Sequence, residues 1–333
     1  MGWFKDIATF DQMTITCDGS TNTFLAIINE NGNWQSVVKA SGTDDVLGID
    51  QIIDVDGNCY VVGYFNETAT FGQYSLTCSD NYFDIFVAKL DINGNWIWAT
   101  SAGGSSWDQC NGIVLDALGN IYVTGFYCET ANFGSYTLNS VGLEDIFVAK
   151  LDSDGNWLWA NSAGGSGTDF GQKIKINNSG VLRVIGNFSE LSSFDTIELV
   201  SNGSTDIFVT ELDSNGNWIW ASSAGGNHYD EGQNIRIDNN GNSYITGFYY
   251  DNANFGNTQL TGYGVNDIFV AKIDNYGNWV WAKQAGGEYG DKGFGIAIDN
   301  SANTYLTGSF QIEAYFGSDQ IYRMVVLTFF LLN

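Results

Sequence analysis

Along residues 145–151, "DIFVAKL", the side chains of Ile146 and Val148 fall on one side of an extended chain and those of Phe147, Ala149 and Leu151 on the other. Both faces are apolar at most positions, and a strand of this kind needs other sheets above and below it. The surrounding segment holds three more runs of β-branched and aromatic residues bounded by Gly, Asn and Asp: "NGIVLD" (111–116), "NIYVTGFY" (120–127) and "NWLWANSAG" (156–164). Together they predict four strands. The pattern returns at a constant interval as "DIFVAKLD" at 84–91 and 145–152, "DIFVTELD" at 206–213 and "DIFVAKID" at 267–274. A weaker copy, "NTFLAIIN" at 22–29, precedes them at nearly the same interval, and the tryptophan of "GNW" keeps step at Trp34, Trp96, Trp157, Trp218 and Trp279.

Four-stranded sheets that recur at this period and cover one another predict an all-β fold, a β-propeller. The expectation is a single domain over 1–333 with five blades of about 61 residues. Third and fourth strands read at 22–40 combine with first and second strands read at 294–310, so the closing blade is shared between the N- and C-terminal strands. Two features stand against closure and leave a window from a longer array as the alternative. An A-x-F-like element ends at Phe10, Phe71, Phe133, Phe194, Phe255 and Phe316, so the termini overlap by one connection. The C-terminal tail, 318–333, is atypical, with "YRMVVLTFFLLN" standing where a "DIFVAKLD" strand is expected.

The long pattern "DIFVAKLDxxGNWxWAxxAGGxxxDxxxxIxxDxxGNxYVTGFY" resembles the bacterial SBBP family, the seven-bladed β-propeller repeat, over about residues 22–310. The resemblance implies a propeller, often within secreted or surface-attached proteins, and implies no general enzymatic activity. The chain departs from the family name in having five units.

Composition narrows the partners. Twelve Lys and Arg against 38 Asp and Glu give a formal charge of −26, which repels nucleic acid and anionic membrane surfaces. The start, "MGWFKDIATF", lacks the apolar core of a secretory signal, and nothing approaches the length of a membrane span, so no membrane insertion is expected. The acidic, Lys-poor surface and the resemblance place the protein outside the cell or at its surface, exported by a region not in this chain or by another route. The five cysteines form no CxxC pair, which gives no support for zinc. With no proline and 41 glycines, the turns are made from Gly, Asn and Asp.

"LDSDGNW" looks like a calcium loop, but Ala163 stands where the bidentate Glu belongs, and Asp154 is Asn31, Asn93, Asn215 or Tyr276 in the sibling copies. A hairpin turn explains it better, with Asp152 bonding turn N–H groups and Gly155 at positive φ. The tryptophans of the "GNWxW" elements read as packing between blades. An aspartate follows each "AGG": Asp45, Asp108, Asp169, Asp230 and Asp291 either cap their own Gly-Gly loops or ring a channel mouth as ligands for a metal or cationic group. The connections between second and third strands, such as "CETANFGSYTLNSVGLE" (128–144), are long, and binding usually resides on such loops. Their candidate ligand contacts are Tyr127, Glu129, Tyr249, Tyr250 and Asp251, joined by Trp107 and its sibling Tyr229 before the inferred inner strands. The expected function is a non-enzymatic recognition or adhesion scaffold for protein or glycan, a monomer or part of a longer chain. The alternative is a propeller glycoside hydrolase using the channel-mouth carboxylates, against which stands the near-equivalence of these aspartates where catalysis needs different pKa values. His228 is the only histidine, and no nucleophile elbow accompanies it. No cofactor is required; calcium in a structural role is compatible with the Asp- and Asn-rich turns.

Overall fold

The computed structural model describes residues 1–78, 80, 82–322 and 328–332. Among them every regular element is a β-strand. By its contacts the chain forms two compact units, Met1–Ser140 with Ile146–Ser162, and Val141–Asp145 with Ala163–Asn333.

The short turns show why the repeat folds as it does. At 213–217, Gly216 N–H donates to the Asp213 carbonyl and Asp213 N–H to that of Asn217, each at 3.0 Å. The Asp213 carboxylate accepts the N–H groups of Asn215 (2.8 Å) and Asn217 (3.0 Å) and the side-chain amide of Asn217 (2.7 Å). Gly216 sits at φ 88°, a conformation that a Cβ would strain. The "LDSDGNW" stretch repeats this turn on Asp152, with Gly155 at φ 86°.

In the second unit, Asp169–Ile176, Leu182–Phe188, Asp206–Leu212 and Trp218–Ala224 form an antiparallel four-stranded sheet, and Glu231–Ile237, Ser243–Tyr249, Asp267–Ile273 and Trp279–Ala285 form another. Leu182–Phe188, Asp206–Leu212 and Ser243–Tyr249 are buried at every residue, as the two-sided apolar pattern requires. Register shifts between Gly232 and Asn234 and between Lys272 and Ile273 add the local twist that bulges bring. In the first unit, Val46–Ile53, Cys59–Asn66, Phe83–Leu90 and Trp96–Gly104 pair in the same order, and Gln109–Leu115 then pairs with Ile121–Phe133.

The tryptophans pack. Trp157, Trp218 and Trp279 meet Phe133, Phe194 and Phe255 edge-on, with ring centroids 5.1, 5.2 and 5.2 Å apart. Trp98 donates from Nε1 to the Ser153 carbonyl (3.1 Å), tying one repeat to the next within the first unit.

Two expectations are corrected. A closing blade shared between the termini requires Thr304–Phe310 to pair with Asn22–Ile28. Instead Thr304–Phe310 lies between Lys292–Ile298 and Thr328–Leu332, and Asn22–Ile28 between Gly2–Phe4 and Trp34–Gly42, so neither has a vacant edge. The poor match of the tail to "DIFVAKLD" misleads because strand pairing is a property of the backbone. Thr328 lies opposite Phe310 as Asp267 lies opposite Tyr249, one repeat period earlier in the chain. The connections between second and third strands are also more ordered than loops. They carry hairpins such as Leu191–Phe194 with Ile197–Val200 and Asn252–Phe255 with Thr258–Thr261, anchored by the phenylalanines that meet the tryptophans.

Candidate functional site

The aspartates after the Gly-Gly pairs are struts of the loops they follow. Asp230 Oδ2 accepts the N–H of Gly226 (2.6 Å) and Oδ1 that of Tyr250 (3.0 Å), so one side chain joins the Gly-Gly loop to the end of the second strand. Asp291 does the same with Gly287 (2.6 Å) and Gln311 (3.0 Å), and Asp108 with Gly104 (2.9 Å) and Cys128 (3.1 Å). Asp169 accepts from Gly165 at 2.8 Å. All four are wholly buried, while Asp45, their counterpart in the first repeat, is half-buried. Burial pushes the Asp108 carboxyl up to about 8 and those of Asp169, Asp230 and Asp291 to about 7, against the partial pull of the main-chain donors. Carboxyls so enclosed do not present a ring of ligands to solvent. Among the described residues, no group of three or more His, Cys, Asp or Glu is placed to hold a metal ion.

The sequence reading missed their partners. Asp84, Asp145, Asp206 and Asp267 begin the "DIFV" runs of the third strands and are buried. The signal was available, because each precedes its Gly-Gly aspartate by one constant interval: 84 to 108, 145 to 169, 206 to 230 and 267 to 291. Oδ2 of Asp145, Asp206 and Asp267 accepts the N–H of Val141 (2.9 Å), Asn202 (3.0 Å) and Tyr263 (2.8 Å). Their Oδ1 atoms are buried without a hydrogen-bond partner among the described residues. A Cβ on Gly225 would stand 2.5 Å from Asp206 Oδ1 and 2.9 Å from Asp230 Oδ2, so both oxygens converge over this glycine. Burial raises Asp145, Asp206 and Asp267 to about 6. Two acids facing each other in a buried site lose their protons in sequence, because the second charge meets the first in a low dielectric. Burial raises both members of each pair, and it keeps them from touching a substrate.

The candidate ligand contacts divide. Tyr127 and Tyr249 are wholly buried core residues, and Tyr249 donates its hydroxyl to Gln284 Oε1 (3.2 Å), so both are removed from the ligand-facing set. Period-two alternation along the second strand turns these rings inward. Glu129 and Asp251 enter their connections at φ 56° and 59°; Glu129 accepts from Ser105 Oγ (3.0 Å), and Asp251 stands 3.9 Å from His228 Nε2. Trp107 remains 43% exposed, seated on Phe83 (5.8 Å between centroids) and Phe126 (5.7 Å). Tyr229, 42% exposed, sits on Phe248 (6.0 Å) with Tyr250 beside it (6.3 Å), and its hydroxyl donates to Glu231 (2.7 Å). Lys292 Nζ lies 4.0 Å from the Phe248 ring centroid. Each unit therefore presents an aromatic platform at the same point of its repeat, held by rings beneath it.

Residues 97–125 match the model of the SBBP family, a beta-propeller repeat. The chain is 22% identical over 381 aligned residues to an uncharacterized WD repeat-containing protein of Acanthamoeba polyphaga mimivirus, with 92% of this chain and 27% of that protein covered. It is 28% identical over 141 residues to the regulatory protein FlaEY of Caulobacter vibrioides, covering 40% of this chain and 15% of that one. The chain thus spans only a minor part of the length of these curated relatives. Among solved structures, a protein of unknown function from Bacteroides caccae aligns at a TM-score of 0.37 and 11% identity, over 73% of this chain and 68% of that one. A GH43_12 protein from a capybara gut metagenome aligns at 0.34 and 13%, over 84% and 54%.

Proposed function

We propose that this chain is a non-enzymatic β-propeller scaffold that recognises a protein or glycan at the cell exterior, through the aromatic platforms of Trp107 and of Tyr229 with Tyr250. The observation that carries this reading is the break in symmetry at one repeat position. Where siblings carry Thr168 and Gly290, Trp107 and Tyr229 hold large rings half in solvent on a rigid bed of other rings. Aromatic side chains fixed before binding give contact area at little entropic cost, which is why they concentrate in recognition surfaces. Glu129, Glu231 and Asp251 supply acceptors near these platforms. The exterior location rests on the acidic surface and on the SBBP resemblance. Glycoside hydrolysis is disfavoured because the paired carboxyls are enclosed, whereas an acid and its partner must flank a glycosidic bond.

Glycan arrays and pull-downs with the full chain test the proposal. A ligand found this way is expected to lose at least about tenfold in affinity with Trp107→Ala or Tyr229→Ala, a difference of ~1.4 kcal/mol. Unchanged affinity in both variants overturns the site, and turnover of aryl glycosides by the wild type overturns the non-enzymatic reading.

A further inference from the structure

One repeat in the second unit departs from its siblings at four positions that meet in space. In three sibling repeats the second strand carries a tyrosine and the third a lysine: Lys89 Nζ lies 4.8 Å from the Tyr60 ring centroid, and Lys150 and Lys272 lie 4.9 Å from those of Tyr122 and Tyr244. The tyrosine hydroxyls donate to the turn aspartates Asp54, Asp116 and Asp238 at 3.2, 3.2 and 3.4 Å. In the divergent repeat the turn begins with Asn177 and ends with Val181, the tyrosine is Arg183 and the lysine is Glu211.

Arg183 is 1% exposed and forms an ion pair with Glu211. Its guanidinium carbon lies 4.8 Å from the Trp220 ring centroid, and Trp220 Nε1 donates to Glu211 Oε2 (3.0 Å). Nη2 donates to the Gly241 carbonyl (3.4 Å), while the buried Nε has no hydrogen-bond partner among the described residues. Replacing a tyrosine and a partly solvated lysine by a buried ion pair is a poor route to stability, since desolvation offsets the attraction. A requirement other than folding explains it better.

The pair lines a cleft of about 360 Å³ between the turns 177–181 and 238–242. Asn178, Asn239, Asn240 and Asn275 line it too and are exposed. The corresponding cleft in the first unit carries Lys89 and Tyr60 with exposed Ile53, Val55 and Leu118, an apolar rim. A carboxamide both donates and accepts, as a sugar hydroxyl does, and planar amide, carboxylate and guanidinium groups suit neighbouring hydroxyls. Around the cleft Arg183 and Lys272 face the carboxylates of Glu211, Asp238 and Asp274, a net negative charge that disfavours an anionic ligand.

We propose that this cleft is a binding site for a neutral saccharide unit, with Arg183 and Glu211 at its floor and the asparagine amides at its walls. Within the second unit it lies at the opposite end of the strands from the Tyr229 platform, so it stands independently of the function proposed above.

The test uses the full chain and a panel of neutral mono- and disaccharides, with glucuronate and inorganic phosphate as anionic probes, read by ligand-observed NMR and calorimetry. At least one neutral sugar is expected to bind. Affinity is expected to fall at least about tenfold in the double variant Arg183→Tyr/Glu211→Lys, which installs the sibling pair, and severalfold in Asn240→Ala. Leu118→Ala, on the exposed rim of the corresponding cleft in the first unit, is expected to leave this binding unchanged. No bound neutral sugar, tighter binding of the anionic probes, or affinity retained in Asn240→Ala and in a folded double variant overturns the proposal.

Discussion

Asp213 and Asp230 belong to the same unit and are both held by backbone N–H groups, yet their carboxyls are shifted in opposite directions. Asp213 opens an exposed turn. Slight burial there would raise its pKa, but the Asn217 amide and the N–H groups of Asn217 and Asn215 together outweigh it, and the carboxylate is held below its ordinary range. Asp230 receives two N–H groups in a wholly enclosed site, where burial dominates and lifts it to about 7. The comparison teaches that hydrogen bonds alone do not set an aspartate's charge. Solvent access decides whether such donors leave the carboxyl below its ordinary range or are outweighed by burial.

The sharpest way to break this comparison is to remove each side chain. Asp230→Ala leaves two buried N–H donors unpaired and is expected to cost about 3 kcal/mol or more in urea unfolding. Asp213→Ala leaves its donors to water and is expected to cost about 1 kcal/mol. Equal losses at the two positions would sink the distinction.

A change of pH sharpens it next. Carboxyls raised in the folded state, at about 6 to 8 for the junction pairs, contribute stability that is complete below their ordinary value and lost as pH rises through the folded one. The turn carboxylates, lowered in the folded state, contribute stability above 3.8 that is lost as pH falls further. Stability is therefore expected to peak near the ordinary carboxyl range and to decline toward pH 8, with a limiting slope of about 1.4 kcal/mol per pH unit for each titrating group. Asp206→Asn places an amide against Asp230 at every pH and is expected to reduce that decline. A wild-type stability that rises steadily to pH 8 would contradict the pairing.

Much of this architecture was legible in the sequence, and the failures share a cause. The two-sided apolar pattern of "DIFVAKL" and the turn at Gly155 are local properties of spacing and backbone, so they read correctly. Tyr249 and Tyr250 are adjacent and chemically alike, but strand register sends one into the core and leaves the other partly exposed, and register is set by partners far along the chain. Asp206 looked like the polar start of a strand. Only its fixed offset from Asp230 tied the two together. Arg183 and Glu211 were visible as departures from "NxYVTG" and "DIFVAK", but their meeting required the pairing of the two strands that carry them.

The smallest effect expected concerns calcium. The turn carboxylates already accept from main-chain and asparagine amides, so adding a chelator is expected to leave the melting temperature unchanged. A fall on chelation would assign the turns a metal that their hydrogen bonds do not call for.

The most direct test of the raised carboxyls in the buried struts is a pH titration of the side-chain carboxyl carbons by ¹³C NMR in the folded chain, with Asp230 assigned through Asp230→Asn. The account predicts two populations, junction carboxyls titrating at about 6 to 8 and turn carboxylates below 3.8. Asp230 titrating with the turn carboxylates, below its ordinary value, would contradict it.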